Sequence, residues 1–270
     1  MTGRRILLLA PHPDDEAVGC AALISRAQAQ GATILVLCLT TGVPAAEQLW
    51  RWQRGSYAAR VARRRREAAQ AAAMLATEAA GFLPWPARRL RWHLDETSAA
   101  IARLVAERGI DTLWAPAWEG AHQDHDAANV IAAGFRDRIS VWEYAAYTFA
   151  GGTVRAQSFV VATGGEDVLR LDAAAAVRKR AVLALYASER GNLRHIGFAQ
   201  ESLRPLPERD YSRLPHPRPL FWERFQWVPF RHPRVDADPP EVVYDSLAAW
   251  AGRHRLAGAP IPAPGIAEVR

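Results

Sequence analysis

The residues best suited to chemistry fall in two short polar clusters. Residues 11–16 read Pro-His-Pro-Asp-Asp-Glu, which places one imidazole and three carboxylates within six positions, and residues 118–125 read Trp-Glu-Gly-Ala-His-Gln-Asp-His. Neighbouring carboxylates raise one another's pKa, whereas a divalent cation among them reverses this effect. The first cluster therefore predicts a metal site.

A catalytic zinc ion usually takes three protein ligands and leaves one position for water, so the first cluster needs a ligand from elsewhere. His122 and His125 are the candidates, because two histidines three residues apart at the start of a helix lie on one face of that helix. If only one of them binds the metal, the other is free to act on a substrate.

Both clusters are predicted to follow strands of a parallel sheet. Residues 6–10 and 33–40 are short apolar runs typical of buried strands, and residues 17–30 between them have helical spacing. Strand, helix, strand is a βαβ unit that opens a doubly wound sheet. A further strand, 111–115, precedes the second cluster. Ligands bind outside the carboxyl ends of such strands, so we expect the two clusters to meet at one rim.

The rest of the chain continues this alternation up to about residue 189. We predict a long loop over 43–58, helices over 57–80, 98–108, 126–135 and 173–189, a strand over 139–147, a hairpin over 158–171, a strand over 223–229, a short helix over 242–254 and a loosely ordered tail over 257–270. The predicted fold is α/β: a single Rossmann-like domain, residues 1–230, with a mostly parallel central sheet flanked by helices. Residues 231–270 are predicted to form a C-terminal β/loop extension.

The two motifs together give the chain a specific likeness. Pro-His-Pro-Asp-Asp-Glu after an N-terminal strand, with a later His-x-Asp-His, resembles the LmbE-like, PIG-L-type family of zinc-dependent N-acetylglucosaminyl deacetylases, from about residue 4 to about residue 188. The resemblance implies that one zinc ion is bound by His12, Asp15 and His125. It also implies that Asp14 is the general base and that His122 assists at the substrate carbonyl.

Further residues follow from the same resemblance. Asp124 is expected to orient a histidine, and Arg64 to contact substrate, because the family has an arginine three residues before the glutamate that Glu67 matches. Residues 41–44, Thr-Gly-Val-Pro, lack the acidic residue that many members carry after the glycine, and Glu189 replaces a frequent glutamine. The exact sugar therefore stays open.

Aromatic side chains near the predicted rim could stack on a sugar ring. Trp118, four residues before His122, is the tryptophan that we predict to contact substrate. We expect Trp50, Trp52, Trp85 and Trp92 to be core residues. His195 follows the last core helix, in a segment that could fold over the site.

The predicted reaction is hydrolysis of an amide C–N bond that deacetylates an N-acetyl amino sugar of the N-acetylglucosamine type. Zinc lowers the pKa of bound water to about 7, and Asp14 takes the proton as water attacks. A protonated His122 would stabilise the oxyanion, and His122 or Asp14 would protonate the amine. The same ligands would also accept Fe(II), Co(II) or Mn(II). An amidase for another acylated amino-sugar or thiol-sugar conjugate is the alternative.

The composition and motifs of the chain disfavour several other classes of protein. The net charge is +6, and Lys179 is the only lysine among 34 basic residues. The run Arg63–Arg66 and the βαβ opening motivate a nucleotide- or nucleic-acid-binding module as a distant alternative. No Gly-x-Gly-x-x-Gly or Walker loop is present, and the first cluster would repel phosphate. No Gly-x-Ser-x-Gly elbow of a serine hydrolase is present either. We expect the arginine run and Lys179 to be solvated.

Location and partners are predicted from what the sequence lacks. The run 6–10 is too short for a membrane span, and the N-terminus has no signal-peptide layout, so we predict a cytoplasmic protein without a membrane span. Cys20 and Cys38 lack disulfide or zinc-site spacing and are predicted to be buried and reduced. We predict a small-molecule amino-sugar substrate and no nucleic-acid partner. The resemblance also implies a homo-oligomer, because relatives commonly assemble.

Overall fold

The computed structural model describes residues 3–225, 238–254 and 256. In this part of the chain the strands are β1 Arg5–Ala10, β2 Thr33–Cys38, β3 Glu78–Phe82, β4 Thr112–Pro116, β5 Ser140–Tyr144, β6 Tyr147–Thr148, β7 Arg155–Ala156, β8 Asp167–Arg170 and β9 Gln200–Pro205. The helices are α1 Asp15–Ala29, α2 Tyr57–Leu75, α3 Leu94–Arg108, α4 Gln123–Ala133, α5 Ala173–Leu185 and α6 Pro240–Arg253. Short 3₁₀ turns span Ala46–Gln48, Arg51–Ser56, Leu90–Trp92, Ala150–Gly152 and Phe221–Phe225.

Seven strands form one mostly parallel sheet in the order β3-β2-β1-β4-β5-β9-β8. The first five run parallel, and β9 and β8 add an antiparallel edge. The order reverses at β1, whose neighbours are β2 and β4, so the rim above β1 and β4 is a topological switch point. The predicted fold class is confirmed.

The core consists of two apolar layers, one on each face of the sheet. Alternation along β1 sends Leu7 and Leu9 to one layer and Ile6 and Leu8 to the other. Helices α1, α2 and α5 cover the second face, and α3, α4 and α6 cover the first. Both faces of β1 are thus buried, which explains its continuous apolar run.

Two predicted elements differ from the structure. The helix expected over 57–80 ends at Leu75, because Ala76 adopts a left-handed conformation, and residues 78–82 form the edge strand β3. The predicted hairpin over 158–171 is wrong: β8 pairs with β9 rather than with the preceding segment. Strand β9 was not predicted, since its sequence, Gln-Glu-Ser-Leu-Arg-Pro, does not alternate in the expected way.

The C-terminal part is described only between residues 238 and 256. The predicted helix over 242–254 is present as α6, and its residues Val243, Leu247 and Trp250 lie in the same core as α4. Residues 221–225 form a 3₁₀ turn, and the rest of the strand predicted over 223–229 lies outside the described residues, as does the tail over 257–270. Among the helices described, none has the length and apolar character needed to cross a membrane.

Two charge predictions are wrong in part. Lys179 is not solvated: it has no exposed surface, and its Nζ lies 2.9 Å from Glu201 Oε1 and donates a 2.8 Å hydrogen bond to Val18 O. In the arginine run only Arg64 is buried, while its neighbours are exposed. Cys20 and Cys38 are free and buried, as predicted.

Candidate active site

Two neighbouring strands deliver the polar clusters to one rim of the sheet. The first cluster runs from the end of β1 into α1, and the second runs from the end of β4 into α4. Because β1 and β4 are paired directly, the imidazole rings of His12 and His125 come within 5.4 Å of each other, although 113 positions apart in sequence.

His12, Asp15 and His125 form a cluster suited to a metal ion. One ligand atom from each lies within 4.8 Å of the others. Asp15 Oδ1 lies 3.1 Å from His125 Nε2, and Asp15 Oδ2 lies 3.2 Å from His12 Nδ1. His125 is wholly buried, and neither of its ring nitrogens makes a well-formed hydrogen bond to the described residues. Burying an imidazole whose nitrogens lack hydrogen bonds costs free energy, which a bound ligand would offset. The three residues therefore fit a divalent cation.

Asp124 holds the imidazole of His12 in a fixed orientation. Its Oδ2 lies 3.0 Å from His12 Nε2, and its carboxylate also accepts hydrogen bonds from the backbone N–H groups of Arg88 and Leu90. Fixing one ring nitrogen in this way leaves His12 Nδ1, which faces Asp15, for a metal. The histidine that Asp124 contacts most closely is thus His12.

The electrostatics of the cluster favour positive charge at its centre. Burial lowers the pKa of His12, but the hydrogen bond to Asp124 and the nearness of Asp15 outweigh it and raise the pKa to about 10. Burial likewise raises the pKa of Asp15, yet His125 and His12 hold it well below its usual range. A cation placed among these groups replaces the proton that His12 otherwise carries.

Asp14 is presented to the cavity by a strained backbone. Its φ of 135° lies in a region that residues other than glycine rarely adopt, directly before α1 begins. Burial raises the pKa of its carboxyl group well above the usual range, and the Arg64 guanidinium, whose Nη2 lies 3.2 Å from Asp14 Oδ2, opposes this only in part. A carboxylate with a raised pKa is a better proton acceptor near neutral pH.

Arg64 lines the cavity but is largely occupied by protein groups. Besides Asp14, it contacts Pro13 O, and its Nη1 lies 3.5 Å from Glu189. Gly42 lies against it, at a φ of 68°, and a Cβ there would come within 2.8 Å of Arg64 Nε. This close approach requires a glycine at position 42.

His122 is positioned as a neutral hydrogen-bond donor. Its Nδ1 accepts a 3.1 Å hydrogen bond from the backbone N–H of Asp124, so we assign the ring proton to Nε2. Burial and the nearby His12 lower the pKa of His122 well below its usual range. The structure therefore favours a neutral His122, not the protonated one expected from the sequence.

These groups open into one cavity of about 400 Å³. Its wall includes His12, Asp14, Asp15, Arg64 and His122, together with Gln53, Arg60, Arg88, Tyr147, Ser188, Glu189, Asn192, His195, Phe221 and Arg224. His195 lies in the wall, in the segment that was expected to fold over the site.

Tyr147, which also lines the cavity, was missed by the sequence analysis. It follows β5 at the same rim, so the rule that placed the two motifs could have found it. Its ring centroid lies 5.5 Å from that of His125.

Trp118 lies in the core and is not among the residues that line this cavity. Its indole packs edge-on against Tyr211 and Tyr244, with ring centroids 5.0 and 5.2 Å away, and little of it is exposed. This placement does not support the predicted substrate contact, and Trp118 has no part in the function proposed below.

Comparison with solved structures shows that this fold is shared with known enzymes. A deacetylase of the teicoplanin biosynthesis pathway has a TM-score of 0.58 at 18% identity, over 74% of this chain and 97% of that one. The N,N'-diacetylchitobiose deacetylase from Pyrococcus horikoshii has a TM-score of 0.52 at 16% identity, over 75% and 83% of the two chains. The 4-carboxy-2-hydroxymuconate hydratase from Pseudomonas putida has a TM-score of 0.50 at 16% identity, over 76% and 97%.

The fold is thus compatible with deacetylation and with hydration, and it does not define the reaction by itself. No curated protein sequence matches the chain significantly. The family model described as PIG-L, GlcNAc-PI de-N-acetylase, matches residues 7–134, a span that contains both polar clusters. This match confirms the resemblance seen in the sequence, and with it the hydrolytic class of enzyme. The similarity to the PIG-L family therefore covers residues 7–134, a little less than half of the chain.

Proposed function

We propose that the protein is a zinc-dependent hydrolase that removes the acetyl group from an N-acetyl amino sugar. The observation that carries this proposal is that Asp14 and His122 share the wall of one cavity with His12 and Asp15, which form a cluster with the buried His125. A candidate base and a candidate hydrogen-bond donor thus flank a set of metal ligands, as amide hydrolysis requires.

His12, Asp15 and His125 would hold the ion. Two imidazoles and one carboxylate are a ligand set that zinc accepts readily, with a coordination position left for water or substrate. When bound, the ion would supply an activated water and polarise the amide carbonyl. Asp124 contributes by holding His12, since its own carboxylate is occupied by His12 and by two backbone N–H groups.

Asp14 would act as the general base. It lies next to Asp15 in sequence, and its buried carboxyl group has a raised pKa, so it can accept the proton of the attacking water and hold it. Arg64 favours the ionised form of Asp14, because the ion pair opposes the effect of burial. The proton held by Asp14 can then pass to the departing amine.

His122 would stabilise the charge that develops on the carbonyl oxygen. As a neutral imidazole with its proton on Nε2, it can donate a hydrogen bond without carrying a charge into the site. This task resembles that of an oxyanion-hole donor, which acts without reorganising at the moment of reaction.

The cavity suits a single sugar ring with its acyl group. A volume of about 400 Å³ falls within the range of small-molecule sites, and the wall combines aromatic faces with neutral and charged hydrogen-bonding groups. Amide or hydroxyl groups of Gln53, Ser188 and Asn192 can bond sugar hydroxyls. Such a mixed wall fits an amino sugar better than a purely apolar substrate.

The test combines metal analysis with an acetate-release assay on a panel of N-acetyl sugars. We expect about one equivalent of bound zinc and release of acetate from at least one N-acetylglucosamine derivative. The panel should include acylated thiol-sugar conjugates, since preference for these would select the alternative amidase. Absence of acetate from every N-acyl sugar, with zinc bound, would overturn the proposal.

A further inference from the structure

The long loop before α2 carries a pair of stacked tryptophans. The indole of Trp52 is 76% exposed, although this residue was expected in the core. Its ring lies parallel to that of Trp50, with an interplanar angle of 7° and centroids 5.1 Å apart. A large, rigid aromatic face in water forgoes the free energy that burial would provide, so a ligand that covers it would bind favourably.

The segment that carries the pair is tied down by polar contacts. Arg54 donates hydrogen bonds to the backbone oxygens of Leu49 and Glu47, on the N-terminal side of the pair. Arg89 Nη2 lies 3.1 Å from the Glu47 carboxylate, which links the loop to the segment before α3. A further bridge joins Pro44 to Ala87. The tryptophan pair is therefore held on a fixed support rather than on a loose loop.

The same segment borders the candidate active site. Leu49 and Gln53, which flank the tryptophan pair in sequence, both line the cavity. A ligand bound in the cavity and extending outward past Leu49 and Gln53 would pass close to the segment that carries the two tryptophans.

The chemistry around the pair indicates what would cover it. Most residues close to the two tryptophans in sequence are polar, among them Glu47, Arg51, Gln53 and Arg54. A lipid chain would need a contiguous apolar surface, whereas a pyranose ring presents a C–H face for stacking and hydroxyl groups at its edge for polar neighbours. The surroundings thus match a carbohydrate ring.

We propose that Trp52, supported by Trp50, is a stacking platform for a second sugar ring, so that the enzyme prefers an N-acetyl amino sugar that is linked to another pyranose. The inference rests on the proposed function for the first ring, which occupies the cavity. It adds a specificity determinant outside the catalytic groups.

The test measures binding in full-length protein carrying Asp14→Ala, which is expected to slow turnover strongly. Titration calorimetry compares N-acetylglucosamine with N,N'-diacetylchitobiose, with and without Trp52→Ala. We expect Trp52→Ala to weaken disaccharide binding about tenfold and to leave monosaccharide binding unchanged. Trp52→Phe keeps an aromatic face and should retain much of the disaccharide preference, which guards against misreading a folding defect.

Trp92→Ala is the matched control, because Trp92 is also exposed but packs under Arg89 and Arg91, and neither of its sequence neighbours lines the cavity. It should change neither affinity. If Trp52→Ala weakens both sugars equally or neither, or if the unaltered platform shows no preference for the disaccharide, the inference is wrong. Acetate release by the unmodified protein is measured separately. If the protein prefers the disaccharide in a way that depends on Trp52 but releases no acetate, the proposed function is wrong and the role of Trp52 in binding is supported.

Discussion

The carboxylate of Glu16 accepts a 3.2 Å hydrogen bond from the backbone N–H of Asp14. This bond holds the strained backbone of Asp14, the proposed base. The hydroxyl of Tyr186 donates to the other oxygen of the same carboxylate. The Glu16 carboxylate, the third of the first motif, thus has a structural role. It stabilises a backbone conformation that costs on the order of 1–3 kcal/mol to maintain.

Glu16→Ala is expected to lower kcat by about tenfold while the bound metal stays near one equivalent. Without the hydrogen bond, the Asp14 peptide can relax toward an ordinary φ and move the base away from its water. Steady-state kinetics with metal analysis checks this. Tyr186→Phe is the control, since it leaves the bond from Glu16 to Asp14 in place and should cost much less activity. Near-native turnover in Glu16→Ala would show that the peptide does not depend on this bond.

Asp14→Ala is expected to retain metal and to lose turnover by about a hundredfold or more, because a positioned general base contributes on that scale. The side chain is not part of the ligand cluster, so metal content should not fall with it. Metal analysis and acetate release on the same preparation decide the matter. Turnover close to that of the unmodified protein would remove Asp14 from the proposed role.

His125→Ala is expected to lose the metal, and with it the stabilisation that metal binding gives. In the unmodified protein a chelator should lower the thermal midpoint, because a ligand that binds only the folded state stabilises it. In His125→Ala the chelator should change nothing. A variant that still bound one metal ion tightly would place the ion elsewhere, for example among His12, His122 and Asp124, which form a second group of closely spaced ligand atoms.

Lys179→Met is expected to destabilise the fold by about 3–5 kcal/mol, because it leaves the buried Glu201 carboxylate without its partner. Glu201 also accepts 2.9 Å hydrogen bonds from the backbone N–H groups of Ala22 and Leu23 in α1. Adding Glu201→Gln removes the charge but keeps an acceptor for those groups, so the double variant should recover part of the loss. Chemical denaturation measures both. Equal stability of the single variant and the unmodified protein would contradict this account of the pair.

Much of the architecture was predictable from the sequence where local pattern and tertiary environment agree. The apolar runs of β1 and β2 and the helix between them appear close to the predicted bounds, and the motifs after β1 and β4 meet because parallel strands bring their carboxyl ends to one rim. The predictions that failed concern elements whose structure depends on residues distant in sequence. Strand β9 has a polar sequence, and its buried Glu201 is compensated by Lys179 of α5 and by backbone N–H groups of α1.

The candidate site shows the same division. The crowding of carboxylates and imidazoles at strand ends predicted a metal site, and the family resemblance implied that His12, Asp15 and His125 are its ligands. The motifs could not indicate that Glu189 would meet Arg64, since Glu189 follows helix α5 and not a strand that ends at this rim. The motifs also could not show which tryptophan is buried, Trp118, and which is exposed, Trp52. Indole burial depends on what packs around each ring, and the structure places the first in the core and the second in solvent.

His195 is expected to make stability depend on pH below neutrality. Burial first, and the nearby Arg224 second, lower its pKa to about 4, whereas the unfolded chain has a value near 6.5. Between these values the unfolded state binds more protons, so this stability is present above about pH 6.5 and is lost as the pH falls, by about 2 kcal/mol between pH 7 and pH 5. Denaturation of the unmodified protein and of His195→Asn at pH 7 and pH 5 isolates this contribution. The variant should lose less stability on acidification, and an equal loss in both proteins would mean that other groups govern the acid response.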